Sequence, residues 1–274
     1  MAPSVPPLRY LSADDVRAAM PPLDERLALA ELTLTALATP GGAELPPKIA
    51  VHPRPAGSFA HAMPAHLRAA AEAHDLLGIK WIAGFGSNSA RGLPTLHGLV
   101  ILGHLLPGVE LHVYDRHPDR AEALAAAGRD TPGIASASPA RSAREAVDGA
   151  DVVVTAASFG PVRQVMTNDW LVPHALVVPV DYATYCAAEV ARDADLFLVD
   201  HRDQFLANRE AGLFDDYPDP SAMLGEAINS ATVRPKGRVV VSHLGVGLAD
   251  VVFGDAIVRA AESRNLGVQL ARQE

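Results

Sequence analysis

The chain of 274 residues is 49% hydrophobic and 20% charged, so it can bury a substantial core in one large or two moderate domains. Its formal net charge of −9 argues against a nucleic-acid partner, because a phosphate backbone is bound by clustered cations. A single cysteine, Cys186, excludes an internal disulfide framework and suits a buried position in a reducing compartment. We find no secretory pattern at the first residues and no apolar run long enough for a membrane span, and therefore expect a soluble, cytoplasmic protein.

Two helices are predicted near the start of the chain. Ser12 with Asp15 three residues later is typical of a capping box and predicts a helix over Asp14–Met20. A second helix follows and ends before Pro40. Its apolar residues recur at helical spacing and predict a stripe that faces the core or a dimer partner: Leu23, Leu27, Ala30, Leu34 and Leu37.

Short apolar runs between Leu45 and Leu102 predict a mixed sheet. These runs are Ile49–Val51, Ser58–Met63, Ile79–Ala83 and Leu99–Leu102. The glycines of Gly84-Phe85-Gly86 follow a strand but lead to Gly92 and Pro94, not to a helix, so they do not indicate a phosphate-binding turn.

Strands and helices alternate after Glu110, which predicts a parallel sheet wound with helices. The predicted strands are Leu111–Asp115, a weak one near Ile134, Asp151–Thr155, Leu176–Val180, Leu196–Val199 and Val239–Val241. The predicted helices are Asp119–Ala127, Ala143–Val147 and a closing helix over Asp250–Arg264.

Two of these strands end in residues that suit a dinucleotide. An acid at the end of a strand, here Asp115, can accept hydrogen bonds from ribose hydroxyls and would repel the extra phosphate of NADP. The small residues Ala156, Ala157 and Ser158 follow Thr155 and would let a ligand approach the backbone. A solvated acid and an ordinary tight turn are the alternative interpretations of these two features.

Lys80 and Asp181 are the leading candidates for chemistry. Lys80 lies within an apolar run, so it either meets an anion or extends its ammonium group to water. Asp181 follows Ala175–Val180 at the carboxyl end of a predicted parallel strand, where open α/β sheets bind ligands. It could act as a general acid or base, or it could cap a helix. The histidines do not group at zinc-ligand spacing, which leaves His61 and His97 as isolated candidates and predicts no metal.

The order and spacing of several short motifs resemble the ornithine cyclodeaminase/mu-crystallin family over nearly the whole chain. The first group is similar to that family's substrate domain: Leu45-Pro46-Pro47-Lys48, His61-Ala62-Met63-Pro64, Gly78-Ile79-Lys80-Trp81, and Asn88 with Gly92-Leu93-Pro94. The second group is similar to its dinucleotide domain: Val113-Tyr114-Asp115-Arg116, Ala150–Ala156, Asp181 with Glu189, and Gly245–Asp250.

The resemblance implies NAD as the cofactor, a small amino-acid or imine substrate and a homodimer. It implies that Lys80 helps to hold the substrate and that Asp181 transfers protons, with Lys48 and His61 as further substrate-binding residues. The implied cofactor-binding residues are Asp115, Arg116, Thr155, Ala156, Ser158, Val180 and His243. Three residues depart from the family, since it has glutamate, lysine and serine at the positions of His61, Tyr185 and His243.

A larger departure lies between Leu102 and Gly103, where the family has a substrate-clamping arginine, the first dinucleotide strand and its glycine-rich turn. Only Gly103–Glu110 separates the neighbouring apolar runs, and a parallel crossover needs about a dozen residues or more. Either the natural polypeptide contains a segment that this sequence omits, or the protein is truly shortened. We favour an omission, because loss of a central strand would destabilise the sheet.

The sequence thus predicts an α/β protein with a Rossmann-like NAD-binding domain over 103–243. An α+β substrate-binding and dimerisation domain is expected over 1–102 with 244–274. The resemblance implies conversion of L-ornithine to L-proline and ammonia, with tightly bound NAD recycled. The alternatives are an NAD(P)H-dependent imine reductase or amino-acid dehydrogenase, and a non-catalytic mu-crystallin-like binding dimer.

Overall fold

A computed structural model describes residues 9–52, 54, 58–68, 75–85, 109–131, 134–157 and 163–270. The chain divides into two compact units, Met1–Gly84 with Val246–Glu274 and Phe85–Gly245. The elements of the first unit are β1 (Arg9–Tyr10), α1 (Ala13–Ala19), α2 (Leu23–Ala38), β2 (Ala43–Glu44), β3 (Ile49–Val51), β4 (Phe59–Leu67) and β5 (Leu76–Gly84).

The second unit follows in the chain, and the closing elements return to the first unit. The second unit contains β6 (Val109–Val113), α3 (Pro118–Arg129), β7 (Ile134–Pro139), α4 (Ala143–Val147), β8 (Val152–Thr155), β9 (Leu176–Pro179), α5 (Ala188–Arg192), β10 (Leu196–Val199), α6 (Arg202–Glu210), β11 (Ala222–Met223), α7 (Leu224–Asn229) and β12 (Val239–Ser242). The closing elements are α8 (Gly247–Ser263) and β13 (Val268–Gln269).

The start of α1 is fixed by the predicted capping box. Asp15 N donates to Ser12 Oγ over 3.2 Å, and Ser12 N donates to Asp15 Oδ2 over 2.9 Å. These two bonds satisfy backbone donors that have no partner within the helix.

The sheet of the first unit is antiparallel, so the prediction of a mixed sheet is wrong for the described strands. β4 pairs with β5 along its whole length, and β2 and β3 pair with β4. Ala65 and Leu67 of β4 pack with Leu248 and Val252 of α8. The helix α8, from the far end of the chain, therefore completes the core of this unit.

The predicted apolar stripe of α2 also differs from the observed one. The core-facing side chains include Leu29 and Leu37, and Thr33 is buried, whereas Leu27 is 40% exposed. Thr33 satisfies its hydroxyl by donating to Leu29 O over 2.8 Å, so a polar residue can occupy the buried face of this helix.

Five parallel strands form the main sheet of the second unit, in the order β11-β10-β12-β9-β8. Helices and loops cover it, and Val177, Val199 and Val240 of its central strands are fully buried. Strands that are buried on both faces have continuous apolar sequences, which explains why these runs were recognisable. The predicted α/β fold class, with a parallel sheet, is confirmed.

A separate parallel pair of strands, β6 and β7, packs with α3. We expected these strands and the later ones to share one sheet, but no described residue forms a strand that joins them. Val152 and Val154 of β8 are 54% and 43% exposed. Apolar side chains on a parallel strand are normally covered, so this part of the sheet is unusually open.

Candidate active site

The carboxyl ends of the parallel strands bring polar side chains to one edge of the main sheet. Thr155 ends β8, Asp181 lies two residues after β9, Asp200 follows β10 directly, and His243 follows β12 directly. This edge is where open parallel sheets bind ligands, because the connecting loops separate there.

Asp181 is 3% exposed and receives hydrogen bonds on both carboxylate oxygens. Thr155 Oγ1 donates to Oδ1 over 2.9 Å, and the Ala157 amide donates to Oδ2 over 2.8 Å. Burial raises the pKa of Asp181, and these hydrogen bonds, with a further one from the Tyr185 backbone, act in the opposite direction. The carboxylate is thus oriented, and its affinity for a proton is increased, as general acid–base chemistry requires.

Two tyrosines flank Asp181. Tyr182 has a φ of +59° and packs on the Phe214 ring with 5.5 Å between the ring centroids. Burial and the charge of Asp200 raise the pKa of Tyr182 to about 12, so its phenol is neutral. Tyr185, where the family has lysine, is half-buried, and burial together with nearby Tyr114 and Asp181 raises its pKa. A neutral phenol therefore lies beside Asp181 in place of a cation.

The predicted cofactor-binding residues lie at four strand ends of the second unit, those of β6, β8, β9 and β12. Asp115 is two residues beyond the observed end of β6, is half-buried, and accepts from His117 N over 2.7 Å, while Arg116 is exposed. Ala156 is exposed, and Val180 is half-buried with its amide bonded to Thr155 O over 2.9 Å. Ser158 lies outside the described residues.

His243 forms an ion pair with a buried aspartate, Asp200, that is not among the predicted site residues. His243 Nδ1 is 2.8 Å from Asp200 Oδ2, where the histidine side chain is 47% exposed and the aspartate 1%. Asp200 was predictable as a candidate site residue, because it follows the apolar run Leu196–Val199 just as Asp181 follows Ala175–Val180.

The predicted substrate-binding residues lie in the first unit. Cross-strand pairing places Lys80 opposite Met63 and His61 opposite Ile82, so Lys80 and His61 project from the same face of the sheet. Lys80 forms an ion pair with Asp250, with 3.0 Å between Nζ and Oδ2. This agrees with the first of its two interpretations, in which the lysine meets an anion. Burial lowers the pKa of His61, and the charges of Lys48 and His52 lower it further. The lowered pKa favours the neutral imidazole of His61, so Lys80, balanced by Asp250, is the cation of this pair.

The remaining motifs have less bearing on chemistry. Cys186 is fully buried, and burial raises the pKa of its thiol to about 12, which fits the interpretation as a small apolar residue. His97, Asn88 and the run Gly92-Leu93-Pro94 lie outside the described residues.

Among the described residues, no group of three or more His, Cys, Asp or Glu side chains could hold a metal ion. None of the described helices is long and apolar enough to cross a membrane.

The fold is shared with NAD-binding reductases and dehydrogenases and with a cyclodeaminase of known structure. The model of the ornithine cyclodeaminase/mu-crystallin family matches residues 22–115, and the predicted resemblance to this family is confirmed. Among curated proteins, the nodulation efficiency protein NfeD of Rhizobium meliloti is 28% identical to this chain, with 96% of this chain and 98% of that protein covered.

Three solved structures share the fold. The Δ1-pyrroline-2-carboxylate reductase of Thermococcus litoralis, solved with NADH and L-proline, is 17% identical with a TM-score of 0.77 over 96% of this chain and all of its own. An archaeal alanine dehydrogenase dimer with bound NAD is 19% identical with a TM-score of 0.74 over 97% of this chain and 99% of its own. A lysine cyclodeaminase that recognises L-lysine, L-ornithine and L-2,4-diaminobutyric acid is 18% identical with a TM-score of 0.69 over 98% of this chain and 96% of its own.

The alignment with the Rhizobium protein is longer than this chain. It extends over 327 residues and covers 96% of the 274 residues here, which is about 263, so about 64 aligned positions have no residue of this chain. An omission between Leu102 and Gly103, where the first dinucleotide strand is expected, would account for this difference.

The described residues fit part of a dinucleotide. Asp115 is an acid after a strand end, the kind of group that accepts hydrogen bonds from a ribose, and the exposed Ala156 leaves the backbone after β8 accessible. The pyrophosphate is usually received by a helix N-terminus after a glycine-rich turn, and the described turn between β6 and α3, residues 114–117, contains no glycine. The acid after β6 and the exposed small residue after β8 are therefore compatible with a dinucleotide.

Proposed function

We propose that this chain is an NAD-dependent enzyme of small α-amino or α-imino acids, with the cyclodeamination of L-ornithine to L-proline and ammonia as the first reaction to test. The observation that supports this is the buried carboxylate of Asp181, oriented by Thr155 and Ala157 at the carboxyl edge of a parallel sheet. Such a group can protonate a leaving nitrogen and later take the proton back.

In the proposed reaction, NAD when bound supplies a hydride acceptor at the α-carbon and returns the hydride at the end. The residues of this chain bind and orient the substrate and move its protons. Lys80 attracts the substrate carboxylate, His61 on the same face of the first unit's sheet can hydrogen-bond to it, and Asp250 limits where the ammonium group of Lys80 can lie. Asp181 carries the proton that the departing ammonia needs.

The second candidate is an imine reductase or amino-acid dehydrogenase, which would consume or produce NADH stoichiometrically. Tyr185 favours it, because this chain lacks the lysine that the family has beside the aspartate. Product analysis separates the two reactions. Ammonia and proline without a net change in NADH support cyclodeamination, whereas stoichiometric NADH change supports the second candidate.

The first test is a fluorescence titration of NADH into the purified chain, whose mass is confirmed beforehand. Saturable binding followed by turnover of ornithine or a cyclic imine supports the proposal. If NADH does not bind, the chain is a non-catalytic relative or an incomplete enzyme, and the proposed function fails.

We further propose that the first unit forms a homodimer through the face of its sheet opposite α8. Leu77 and Ile79 of β5 project from that face and are 81% and 65% exposed. Gly78 lies between them and points the other way, where an added Cβ would contact Val251 of α8. An exposed apolar face of this kind is typical of a subunit interface.

A further inference from the structure

The loop His243–Gly245 is held by buried polar groups on every side. Asp200 Oδ2 accepts from both the Leu244 and Gly245 amides over 2.8 Å. Tyr182 OH donates to Leu244 O over 3.2 Å, and Gln204 Nε2 donates to Gly245 O over 3.2 Å. Both peptide groups of the loop are thereby fixed, and with them the position at which the His243 side chain begins.

Asp200 also binds the imidazole itself. Its Oδ2 is 2.8 Å from His243 Nδ1, and its Oδ1 accepts from His201 N over 2.9 Å. A carboxylate fixed by this many donors orients the imidazole with its proton on Nδ1. Since Asp200 is 1% exposed and His243 is 47% exposed, the aspartate fixes the ring from inside the protein while the other side of the ring reaches the edge of the sheet.

The same edge carries Asp181. His243 N donates to Pro179 O over 3.0 Å, so the histidine backbone is bonded to the strand end that leads, two residues later, to Asp181. Neighbouring parallel strands lie about 4.8 Å apart, which brings the two side chains to adjacent strand ends.

We propose that Asp200 is a positioning residue that makes His243 a second proton carrier of the site, acting on the substrate's α-amino group. The proposal rests on the proposed function. An α-ammonium group cannot lose hydride from its carbon until it has given up one proton, and His243 takes that proton on Nε2 and becomes an imidazolium. The nitrogen lone pair freed in this way could form the C=N bond of an iminium, for which a bound NAD would supply the hydride acceptor. On the return of hydride, the imidazolium gives its proton back to the amine.

The two carriers have different tasks. Burial raises the pKa of Asp181, which suits the acid that releases ammonia, whereas an imidazole held by a carboxylate suits the base that prepares the amine. Asp200 keeps its contact with Nδ1 and stabilises the imidazolium, as the carboxylate does in other aspartate–histidine pairs.

The kinetic test compares His243→Ala with a matched control, His174→Ala. His174 forms a similar ion pair with Asp151 at 2.9 Å, but both side chains are exposed and lie away from the carboxyl edge. His243→Ala should lower kcat about 100-fold with little change in KM, and added imidazole should restore much of it, because the ring is open to solvent. His174→Ala should keep normal kcat without rescue. A fall in kcat under about threefold, or no rescue by imidazole, overturns the role of His243.

A spectroscopic test separates this proposal from the proposed function. In the chain without ligands, ¹⁵N NMR of labelled histidine should show His243 with its proton on Nδ1, and Asp200→Asn should abolish that preference while leaving the His174 signals unchanged. If the wild type shows this signature but turns over no amino or imino acid, the proposed function and the proton transfer fail, and the positioning of His243 by Asp200 stands. Absence of the signature overturns the positioning itself.

Discussion

Thr155 and Asp181 connect the ends of two neighbouring parallel strands, since Thr155 Oγ1 donates to Asp181 Oδ1 over 2.9 Å. This bond and the one from the Ala157 amide fix a carboxylate at the sheet edge whose pKa burial raises. The structure therefore links the packing of β8 against β9 to the proton affinity of the main candidate catalytic group.

Replacement of Asp181 with asparagine should abolish turnover and keep the fold. The asparagine oxygen can accept from Ala157 N, and its amide can donate to Thr155 Oγ1, so both observed contacts have replacements. We expect kcat to fall at least 100-fold with unchanged circular dichroism. Turnover near the normal rate would remove Asp181 from the mechanism.

The same variant makes a prediction about stability and pH. A carboxyl whose pKa is higher in the folded than in the unfolded chain binds its proton more tightly when folded, so its contribution to stability is largest at low pH. The free energy of unfolding of the wild type, relative to Asp181→Asn, should thus fall as the pH rises from about 4 through the folded pKa. Urea titrations at several pH values measure this difference, and a difference that grows with pH contradicts the assignment.

Replacement of Thr155 with valine removes one donor to Asp181 at nearly constant volume. Because that hydrogen bond lowers the pKa of Asp181, its loss should raise this pKa further and move the corresponding limb of the kcat profile to higher pH. Thr167→Val is a control, since Thr167 donates to exposed Asp169 instead. A profile that is unchanged in Thr155→Val would mean that Asp181 does not set that limb.

Asp115 should determine the preference for NADH over NADPH. Replacing it with serine removes the carboxylate that would bind ribose hydroxyls and repel a 2′-phosphate. We expect the variant to bind NADH about tenfold more weakly than the wild type does. The difference between its affinities for NADH and NADPH should become smaller, as measured by fluorescence titration. Asp119→Asn is a matched control in the first turn of α3. Equal effects of the two substitutions would show that only overall charge matters.

Replacement of Ile79 with aspartate should dissociate the proposed dimer. A charge on the face that carries Leu77 and Ile79 cannot be buried against a second copy without a large desolvation cost. Sedimentation should show a dimer for the wild type and a monomer for the variant. Val233→Asp is a control, because Val233 is 86% exposed in the second unit. A wild-type monomer, or a variant that remains dimeric, contradicts this interface.

Sequence reasoning located the elements with strong local signals. The capping box of Ser12 and Asp15, the strand Leu196–Val199 and the helix Ala143–Val147 were predicted within a residue of their observed bounds. Buried parallel strands are apolar throughout, so they are visible in sequence, whereas the short polar helix α6 depends on tertiary packing and was not predicted.

The candidate site was predictable only in part. Asp181 and Lys80 stood out because a charge next to or within an apolar run needs an explanation. Asp200 shows the same pattern, but only its contact with His243 indicates a role in the site. These two residues are 43 positions apart, so no local pattern reveals the contact. The partner of Lys80, Asp250, is even more distant in the chain. Contacts of this kind depend on topology, which spacing alone does not determine.

The discontinuous make-up of the first unit has a consequence for synthesis on the ribosome. β4 and β5 emerge early, yet Leu248 and Val252 of α8, which cover Ala65 and Leu67, are translated after the whole second unit. Because synthesis proceeds at about 5–20 residues per second, the apolar face of the early sheet remains exposed for many seconds. The second unit can fold during that interval, so nascent chains that stall before residue 247 should expose an unfinished sheet and depend on chaperones.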